Sequence, residues 1–122
     1  MNKRETGILG EQVARKYLLE KGYLLLDVNY KIPWAEIDII AEKNDHIIFV
    51  EVKTNAYKST VRDFNPEIRV DYRKLNKISR LAAYYLNDRG LVDKKWQIDI
   101  ISVNLDLVFK KATVKHFEKV GV

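Results

Sequence analysis

Residues 35–54 read AEIDIIAEKNDHIIFVEVKT and predict a β-hairpin at the centre of the fold. The apolar runs predict one strand over residues 36–40 and a second over residues 47–53, because β-branched and aromatic residues favour strands. Asn44 and Asp45 lie in the polar segment between the runs and favour a tight turn. The hairpin loop then fixes which residues of the two strands face each other.

With Asn44 and Asp45 at the turn centre, four charged residues fall on one face of the hairpin. Asp38 pairs with Glu51 and Glu36 pairs with Lys53, because side chains alternate along a strand. The apolar residues fall on the other face: Ile37, Ile39, Ile48, Val50 and Val52. Three clustered acids repel one another and resist burial, and a divalent cation would remove that conflict. The alternative is a set of exposed cross-strand ion pairs, each of which contributes little.

The composition limits the class of protein. A chain of 122 residues predicts one domain, over residues 1–122, with a core that needs no disulfides. There are no cysteines, which excludes a thiolate zinc site and fits a reducing compartment. The net charge of +5 suits a polyanionic partner, although a lysine-rich surface has the same balance. Charges interrupt the N-terminus, and no apolar run approaches the roughly 20 residues of a membrane span, so we expect a soluble, cytoplasmic protein.

The N-terminal segment predicts a helix over residues 6–20, with Thr6 as its N-cap and Gly22 placed to end it. Glu11 lies at the margin of the apolar face, where its carboxylate can point along the sheet towards the hairpin acids. From position alone, an ordinary exposed glutamate near a helix N-terminus is the better supported interpretation. The apolar face contains Gly10, Val13, Ala14, Tyr17 and Leu18.

The remaining segments complete the order α-β-β-β-α-β-β and predict an α/β fold whose mixed five-stranded sheet is flanked by helices. The polar residues 54–66 predict a long loop, and loops of this length often act as flaps over a substrate. The other predicted elements are a strand over residues 23–28, a connector over 29–34, a helix over 71–88, and strands over 96–103 and 112–117.

Three single residues in these segments have alternative interpretations. Trp34, in the connector, is either a packing anchor or a nucleotide-stacking surface, and packing is favoured. Asp99 interrupts an apolar strand and is interpreted as a structural acid. His116 has no partner at a recognisable spacing, so no role is assigned to it.

A basic stripe runs along the second helix, opposite its apolar face. Arg73, Lys77 and Arg80 form this stripe, and it either contacts phosphates or is a solvated helix face. Lys74 lies apart from it, at the edge of the apolar stripe. Arg62, in the loop before the helix, completes the predicted nucleic-acid-binding set.

The hairpin presents an acid followed by an E-x-K motif. Asp38 and Glu51 offer the hard oxygen ligands that suit Mg²⁺ or Mn²⁺. Lys53 can orient or help to deprotonate an attacking water, Glu11 is a candidate third ligand, and Glu36 is the expected ion-pair partner of Lys53. Although the motif alone is weakly specific, this chemistry favours metal-assisted hydrolysis of phosphodiester bonds.

Several segments, in the same order and spacing, resemble the YraN-like family of small predicted endonucleases. The matching residues are Gly10 and Glu11 with Ala14, Tyr17 and Leu18, then Gly22 and Tyr23, Asn29 and Tyr30, residues 36–40 and 49–53, and Val70 with Lys74, Ala82 or Ala83, Tyr85 and Leu86. The resemblance covers nearly the whole chain. It implies a restriction-endonuclease-like core of the PD-(D/E)xK type, similar to that of archaeal Holliday-junction resolvases, which are Mg²⁺-dependent dimers acting on branched DNA.

The resemblance also assigns roles to single residues. It places the predicted catalytic positions on Glu11, Asp38, Glu51 and Lys53, and a recurrent basic position on Lys74. Two residues depart from the family pattern: Ala35 replaces a glycine, and Asn55 replaces an arginine that follows E-V-K-T. The second departure weakens an expected phosphate contact.

We therefore expect a metal-dependent endonuclease that hydrolyses DNA, with branched or junction DNA as a candidate substrate and a homodimer as a candidate assembly. Glu11, Asp38 and Glu51 are the expected ligands of Mg²⁺ or Mn²⁺. The alternative is a non-catalytic nucleic-acid-binding protein with a nuclease-like fold. A third hypothesis is a structural or partner-binding protein whose acidic hairpin is only a solvated sheet face.

Overall fold

Two helices and five strands follow one another in the predicted order in the computed structural model, which describes residues 1–58 and 69–121. The elements are α1 (Lys3–Glu20), β1 (Leu24–Ile32), β2 (Ala35–Lys43), β3 (His46–Tyr57), α2 (Tyr72–Asp88), β4 (Lys95–Asp106) and β5 (Lys111–Phe117). The strands form one sheet in the order β1-β2-β3-β4-β5. Because β3 and β4 run parallel while the other neighbours run antiparallel, the predicted mixed sheet and α/β class are confirmed.

Short polar side chains set the helix starts. The Asn2 side chain accepts a hydrogen bond from the backbone N–H of Glu5 at 2.8 Å, so α1 begins earlier than predicted and Thr6 is not its N-cap. Gly22 ends α1 as predicted, with a φ of +89° that glycine adopts without strain. Asp71 caps α2 as predicted by accepting from the N–H groups of Arg73 and Lys74.

Each helix covers one face of the sheet. On the α1 face, the buried residues include Ala14, Leu18, Ile39, Ala41, Ile48, Val50, Ile101 and Val103. On the α2 face, they include Ile37, Ile40, Ile47, Phe49, Leu75, Ile78, Leu81 and Tyr85. Both faces are therefore removed from water, which explains why β3 and β4 read as nearly continuous apolar runs.

The central hairpin has the predicted register from Lys43–His46 to Ile39–Val50. Asn44 and Asp45 form its turn with φ values of 52° and 65°, as the tight turns that match strand twist require. The ladder does not continue to Asp38, so the predicted pairing of Asp38 with Glu51 is absent. Instead, the backbone N–H of Val52 donates to the Asp38 carboxylate at 2.7 Å.

The strand irregularity at Asp38 also corrects the predicted apolar face. Ile37 packs on the α2 face whereas Ile39 packs on the α1 face. In a regular strand, residues two apart lie on the same side, so the alternation of β2 breaks between them. The side chain of Asp38 thereby takes the place of a backbone acceptor for Val52.

The first part of each of two predicted loops is strand in the structure. β1 continues to Ile32, and β3 continues to Tyr57, into the loop predicted over residues 54–66, of which residues 59–66 lie outside the described residues. The parallel partner β4 explains the second extension, because its ladder with β3 runs to the Tyr57–Asp106 pair. Neither helix is long and apolar enough to cross a membrane within the described residues.

Candidate active site

An open cleft of about 820 Å³, which we name the acidic cleft, lies where α1, β2, β3 and the start of α2 meet. Glu11 of α1, Asp38 of β2 and Lys74 of α2 all line it. Its other lining residues include Lys3, Arg4, Val52, Thr54 and Asn55. The fold therefore brings together three of the residues singled out from sequence, although they lie on three separate elements.

A close contact between α1 and β3 holds Glu11 at the cleft. Gly10 is buried, and a Cβ atom at that position would lie 2.6 Å from Cγ2 and 2.7 Å from Cβ of Thr54. Such distances are well inside van der Waals contact, so only glycine lets the helix approach the strand this closely. The next residue, Glu11, is half-buried and faces the cleft.

Asp38 is half-buried and has an unusual electrostatic environment. Burial raises the pKa of its carboxyl to about 7, the charge of Glu11 acts in the same direction, and the hydrogen bond from the Val52 N–H opposes both. A carboxyl group in this position binds a proton near neutral pH unless a cation compensates its charge. Glu11 and Asp38 thus interact electrostatically, as a shared ligand set requires.

Glu51 is almost completely buried, with 3% of its surface exposed. Its Oε1 atom contacts the Nζ atom of Lys74, and no second partner of that oxygen is found among the described residues. Burial opposes the charge on Lys74, but contact with Glu51 and the charges of Glu51 and Asp38 outweigh it and raise the pKa of that ammonium group. Lys74 thus supplies the positive charge that the acids face.

Lys53 lies outside this constellation. Its ammonium group donates to the backbone carbonyl of Arg69 at 2.9 Å. Glu36 is exposed, and the predicted ion pair between Glu36 and Lys53 is not formed. The hairpin register that would have set the two residues opposite each other ends at the Ile39–Val50 pair, which explains the difference.

The three predicted metal ligands do not form a closed set of oxygen atoms. Within the described residues, three or more His, Cys, Asp or Glu side chains whose ligand atoms all lie within 4.8 Å of one another occur only in the group Asp99, His116 and Glu118. Mutual repulsion and the ammonium group of Lys74 beside Glu51 account for the open arrangement of Glu11, Asp38 and Glu51.

The group around Asp99 is a hydrogen-bonded network on the α1 side of the sheet. The Nε2 atom of His116 lies 2.7 Å from a carboxylate oxygen of Asp99, and its Nδ1 atom lies 3.0 Å from the hydroxyl group of Tyr17. Asp99 is fully buried and also accepts from the Gln97 side chain and the Lys119 N–H. Asp99 is thus a satisfied structural acid, and His116 has a partner that sequence spacing did not reveal.

The predicted nucleic-acid-binding residues occupy different surroundings. Arg73, Lys74 and Lys77 line a second recess beside the acidic cleft, and the guanidinium carbon of Arg80 lies 5.2 Å from the centre of the Trp34 ring. Arg62 lies outside the described residues. Asn55, at the position of an expected arginine, lines the acidic cleft and its side chain donates to Asn104 at 3.4 Å.

Sequence reasoning missed two basic residues of the cleft, Lys3 and Arg4, which line it from the first turn of α1. Placing the helix start at Thr6 left both residues in an undefined N-terminal segment. Asn2 is a favourable N-cap residue in the sequence and could have indicated the earlier helix start, which brings Lys3, Arg4 and Glu5 into α1.

A model of the uncharacterised protein family UPF0102 matches residues 10–103 of this chain. A UPF0102 protein of Alkaliphilus oremlandii is 40% identical over 118 residues, which span 97% of each chain. A UPF0102 protein of Fervidobacterium nodosum is 44% identical over 120 residues, or 98% of this chain and 84% of the relative. A UPF0102 protein of Moorella thermoacetica is 41% identical over 106 residues, or 87% of this chain and 86% of the relative. The similarity thus extends over nearly the whole chain.

Among solved structures, the chain is similar to Pyrococcus furiosus SfsA in complex with Ca²⁺. The TM-score is 0.43 and the sequence identity is 15%, over 96% of this chain and 64% of that chain.

Proposed function

The chain belongs to the uncharacterised protein family UPF0102, and we propose that this member is a metal-dependent endonuclease that hydrolyses DNA phosphodiester bonds. Its membership confirms the family resemblance noted in the motifs. The observation that carries the proposal is the acidic cleft, where Glu11 and Asp38 line one opening and the buried Glu51 lies against Lys74.

The residues present fit a divalent cation. Glu51 is a buried carboxylate whose Oε1 atom has the ammonium group of Lys74 as its partner within residues 1–58 and 69–121. Burial raises the pKa of Asp38 to about 7 and the charge of Glu11 acts in the same direction, so a further cation beside Asp38 would stabilise its charged form. Carboxylate oxygens are the ligands that Mg²⁺ and Mn²⁺ prefer. Asp38 and Glu51 would hold the ion, with Glu11 as the third carboxylate on the opposite wall.

A bound divalent cation supplies Lewis-acid polarisation of the phosphate and lowers the pKa of a coordinated water. The protein's own groups position the reactants. The Val52 N–H fixes the Asp38 carboxylate at 2.7 Å, and Lys74 balances the charge on Glu51. Lys53, two residues along β3 from Glu51, would orient the attacking water only after its ammonium group leaves the carbonyl of Arg69, to which it donates at 2.9 Å.

The charges around the acidic cleft support a nucleic-acid substrate. Lys3 and Arg4 line it from the α1 side, and Lys74 lines it from the α2 side. Cations on both walls suit a polyanionic backbone that crosses the acids, because phosphate contacts position a nucleic acid without reading its sequence. The family resemblance favours branched or junction DNA and a homodimer that places two such clefts on one substrate.

The test is cleavage of a supercoiled plasmid and of a synthetic four-way junction in the presence of Mg²⁺ or Mn²⁺. We expect metal-dependent cleavage that falls by at least about 100-fold in Glu51→Gln, because even groups that only support a metal ligand cost 10- to 100-fold when removed. Glu20→Gln, at the exposed end of α1, is the matched control and retains full activity. Activity that persists in Glu51→Gln would identify a contaminant and overturn the assignment.

One observation favours a second candidate, a nucleic-acid-binding protein that does not cleave. The ion pair between Lys74 and Glu51 already neutralises the buried acid without a metal. In that case DNA binding would be salt-dependent, indifferent to chelation and unchanged in Asp38→Asn. A loss of binding on chelation would contradict it.

A further inference from the structure

A second recess of about 450 Å³, which we name the Trp34 recess, opens beside the acidic cleft between the β1–β2 turn and α2. It shares Asp38 and Lys74 with the acidic cleft. Its other lining residues include Trp34, Glu36, Asp71, Arg73 and Lys77. A ligand in the Trp34 recess would therefore lie next to the group proposed to hold the metal.

Trp34 does not serve as the packing anchor favoured from sequence. It lies at the tip of a two-residue turn, because Ile32 and Ala35 on either side are already paired, and 46% of its surface is exposed. Ile32 and Ala35 pack against the core cluster of the α2 face, and Trp34 is not among the residues of either core cluster in the described chain. The large aromatic surface is thus held outside the core.

The Trp34 ring is nevertheless held in place. The guanidinium group of Arg80 lies over the ring at 5.2 Å from its centre, within the range of a cation–π interaction. Arg80 is not among the residues that line the Trp34 recess, whereas Trp34 is. The contact with Arg80 thus orders the ring while the ring still borders the recess.

The chemistry of the recess suits a nucleotide. An aromatic ring offers a stacking surface for a base, and the cationic side chains of Arg73 and Lys77 suit its phosphates. The exposed carboxylate of Glu36 can accept hydrogen bonds from amino groups of a base edge. A volume of about 450 Å³ lies in the range of small-ligand sites.

Stacking on Trp34 requires a base whose face is free. Bases within a continuous duplex are stacked on their neighbours and present only their edges in the grooves, so an unpaired, extruded or terminal base is needed. We propose that the Trp34 recess binds an unpaired nucleobase next to the scissile phosphate and so selects nucleic acids with unpaired nucleotides at the cleavage site. This inference rests on the proposed function and names its substrate class.

The test uses the full chain with the substitution Trp96→Phe. Because the sequence has two tryptophans, this substitution leaves Trp34 as the single tryptophan fluorophore. Phenylalanine preserves the edge contact that Trp96 makes with Phe49. Three DNA probes are titrated in EDTA and again in Ca²⁺: a duplex with a short thymidine bulge, the same duplex with abasic sites in the bulge, and a continuous duplex. The abasic probe keeps the bulged phosphates and lacks only the bases.

We expect quenching of Trp34 fluorescence by the thymidine bulge and by neither of the other probes. Trp34→Ala, with Trp96 retained, should bind the thymidine bulge roughly 10-fold more weakly and the continuous duplex equally well, because stacking contributes only where a base is free. Trp34→Tyr, which keeps an aromatic face, should retain most of the affinity.

The outcomes separate this inference from the proposed function. Equal binding of all three probes with no change in Trp34 fluorescence would overturn the stacking site and leave the endonuclease proposal standing. Absence of binding to every probe in both EDTA and Ca²⁺ would overturn both. Selective quenching combined with a failure to cleave any DNA would support the stacking site and overturn only the catalytic proposal.

Discussion

Asp38 combines three features in one carboxylate: burial, an acidic neighbour and a backbone hydrogen bond. Burial and the charge of Glu11 raise its pKa to about 7, and the Val52 N–H lowers it, although not enough to offset them. The charged form of Asp38 is therefore an energetic cost to the folded protein near neutral pH. A residue kept at such a cost is more readily explained by function than by stability.

Asp38→Asn should raise the free energy of unfolding at about pH 8 by at least about 1.4 kcal/mol, the equivalent of one pKa unit. The raised pKa of Asp38 means that the native state binds more protons than the unfolded state from about pH 4 to about pH 7, so wild-type stability falls as the pH rises through this window. Asparagine keeps an oxygen for the Val52 N–H and carries no charge. The gain should vanish at about pH 4.

Urea unfolding of both proteins at the two pH values measures this effect, and Asp93→Asn, at an exposed position, is the control. A gain for Asp38→Asn that is the same at both pH values would show that the charge of Asp38 is not its source.

At the scale of elements, the position of α1 against β3 decides whether Glu11 reaches the acidic cleft. The helix has two glycines with opposite surroundings. A Cβ at Gly10 would lie 2.6 Å and 2.7 Å from carbon atoms of Thr54, whereas a Cβ at Gly7 would meet no atom within 4 Å. The same substitution at the two sites therefore separates close packing from helix propensity.

Gly10→Ala should destabilise the protein by about 1–3 kcal/mol, because the added methyl group forces α1 away from β3. Gly7→Ala should stabilise it by up to about 1 kcal/mol, since alanine favours the helix. Chemical unfolding of both variants measures the difference, and cleavage should fall only in Gly10→Ala, where Glu11 moves with the helix. Equal effects at the two sites would mean that Thr54 yields without cost and that the close approach is not required.

At the scale of the whole molecule, one buried network joins the first helix to the last two strands. Tyr17 of α1, His116 of β5 and Asp99 of β4 form a chain of hydrogen bonds, and the backbone N–H of Lys119 also donates to Asp99. β5 is an edge strand of the sheet, so this network fastens an element that has a partner strand on one side only.

Asp99→Ala should lower the free energy of unfolding by about 3 kcal/mol, because it leaves the buried Gln97 side chain and the part-buried donors of His116 and Lys119 without their acceptor. Asp93→Ala, at an exposed position, should change it by less than about 0.5 kcal/mol. Thermal and urea unfolding test the pair, and hydrogen exchange should show loss of protection in β5 ahead of the central strands. A loss below about 1 kcal/mol for Asp99→Ala would show that the network does not fasten β5.

The sequence alone determined the features that depend on local chemistry. Asn44 and Asp45 fixed the register of the central hairpin, Asp71 and Gly22 bounded helices, and the apolar runs specified the element order and the mixed sheet. The hairpin pattern singled out Asp38 and Glu51, the helix pattern offered Glu11, and the family resemblance assigned roles to all three; the structure places Glu11 and Asp38 at one cleft. The hairpin turn, the helix bounds and the strands follow from turn, cap and strand preferences that act over a few residues.

Only the tertiary structure decided which groups meet. Four features depend on residues that are distant in the sequence. They are the break in β2 at Asp38, the pairing of Lys74 with Glu51, the bond from Lys53 to Arg69, and the link between His116 and Asp99. The physical reason is that burial and charge compensation are properties of the packed molecule. The hairpin pattern predicted an acidic face, and packing determined that Lys74 pairs with Glu51.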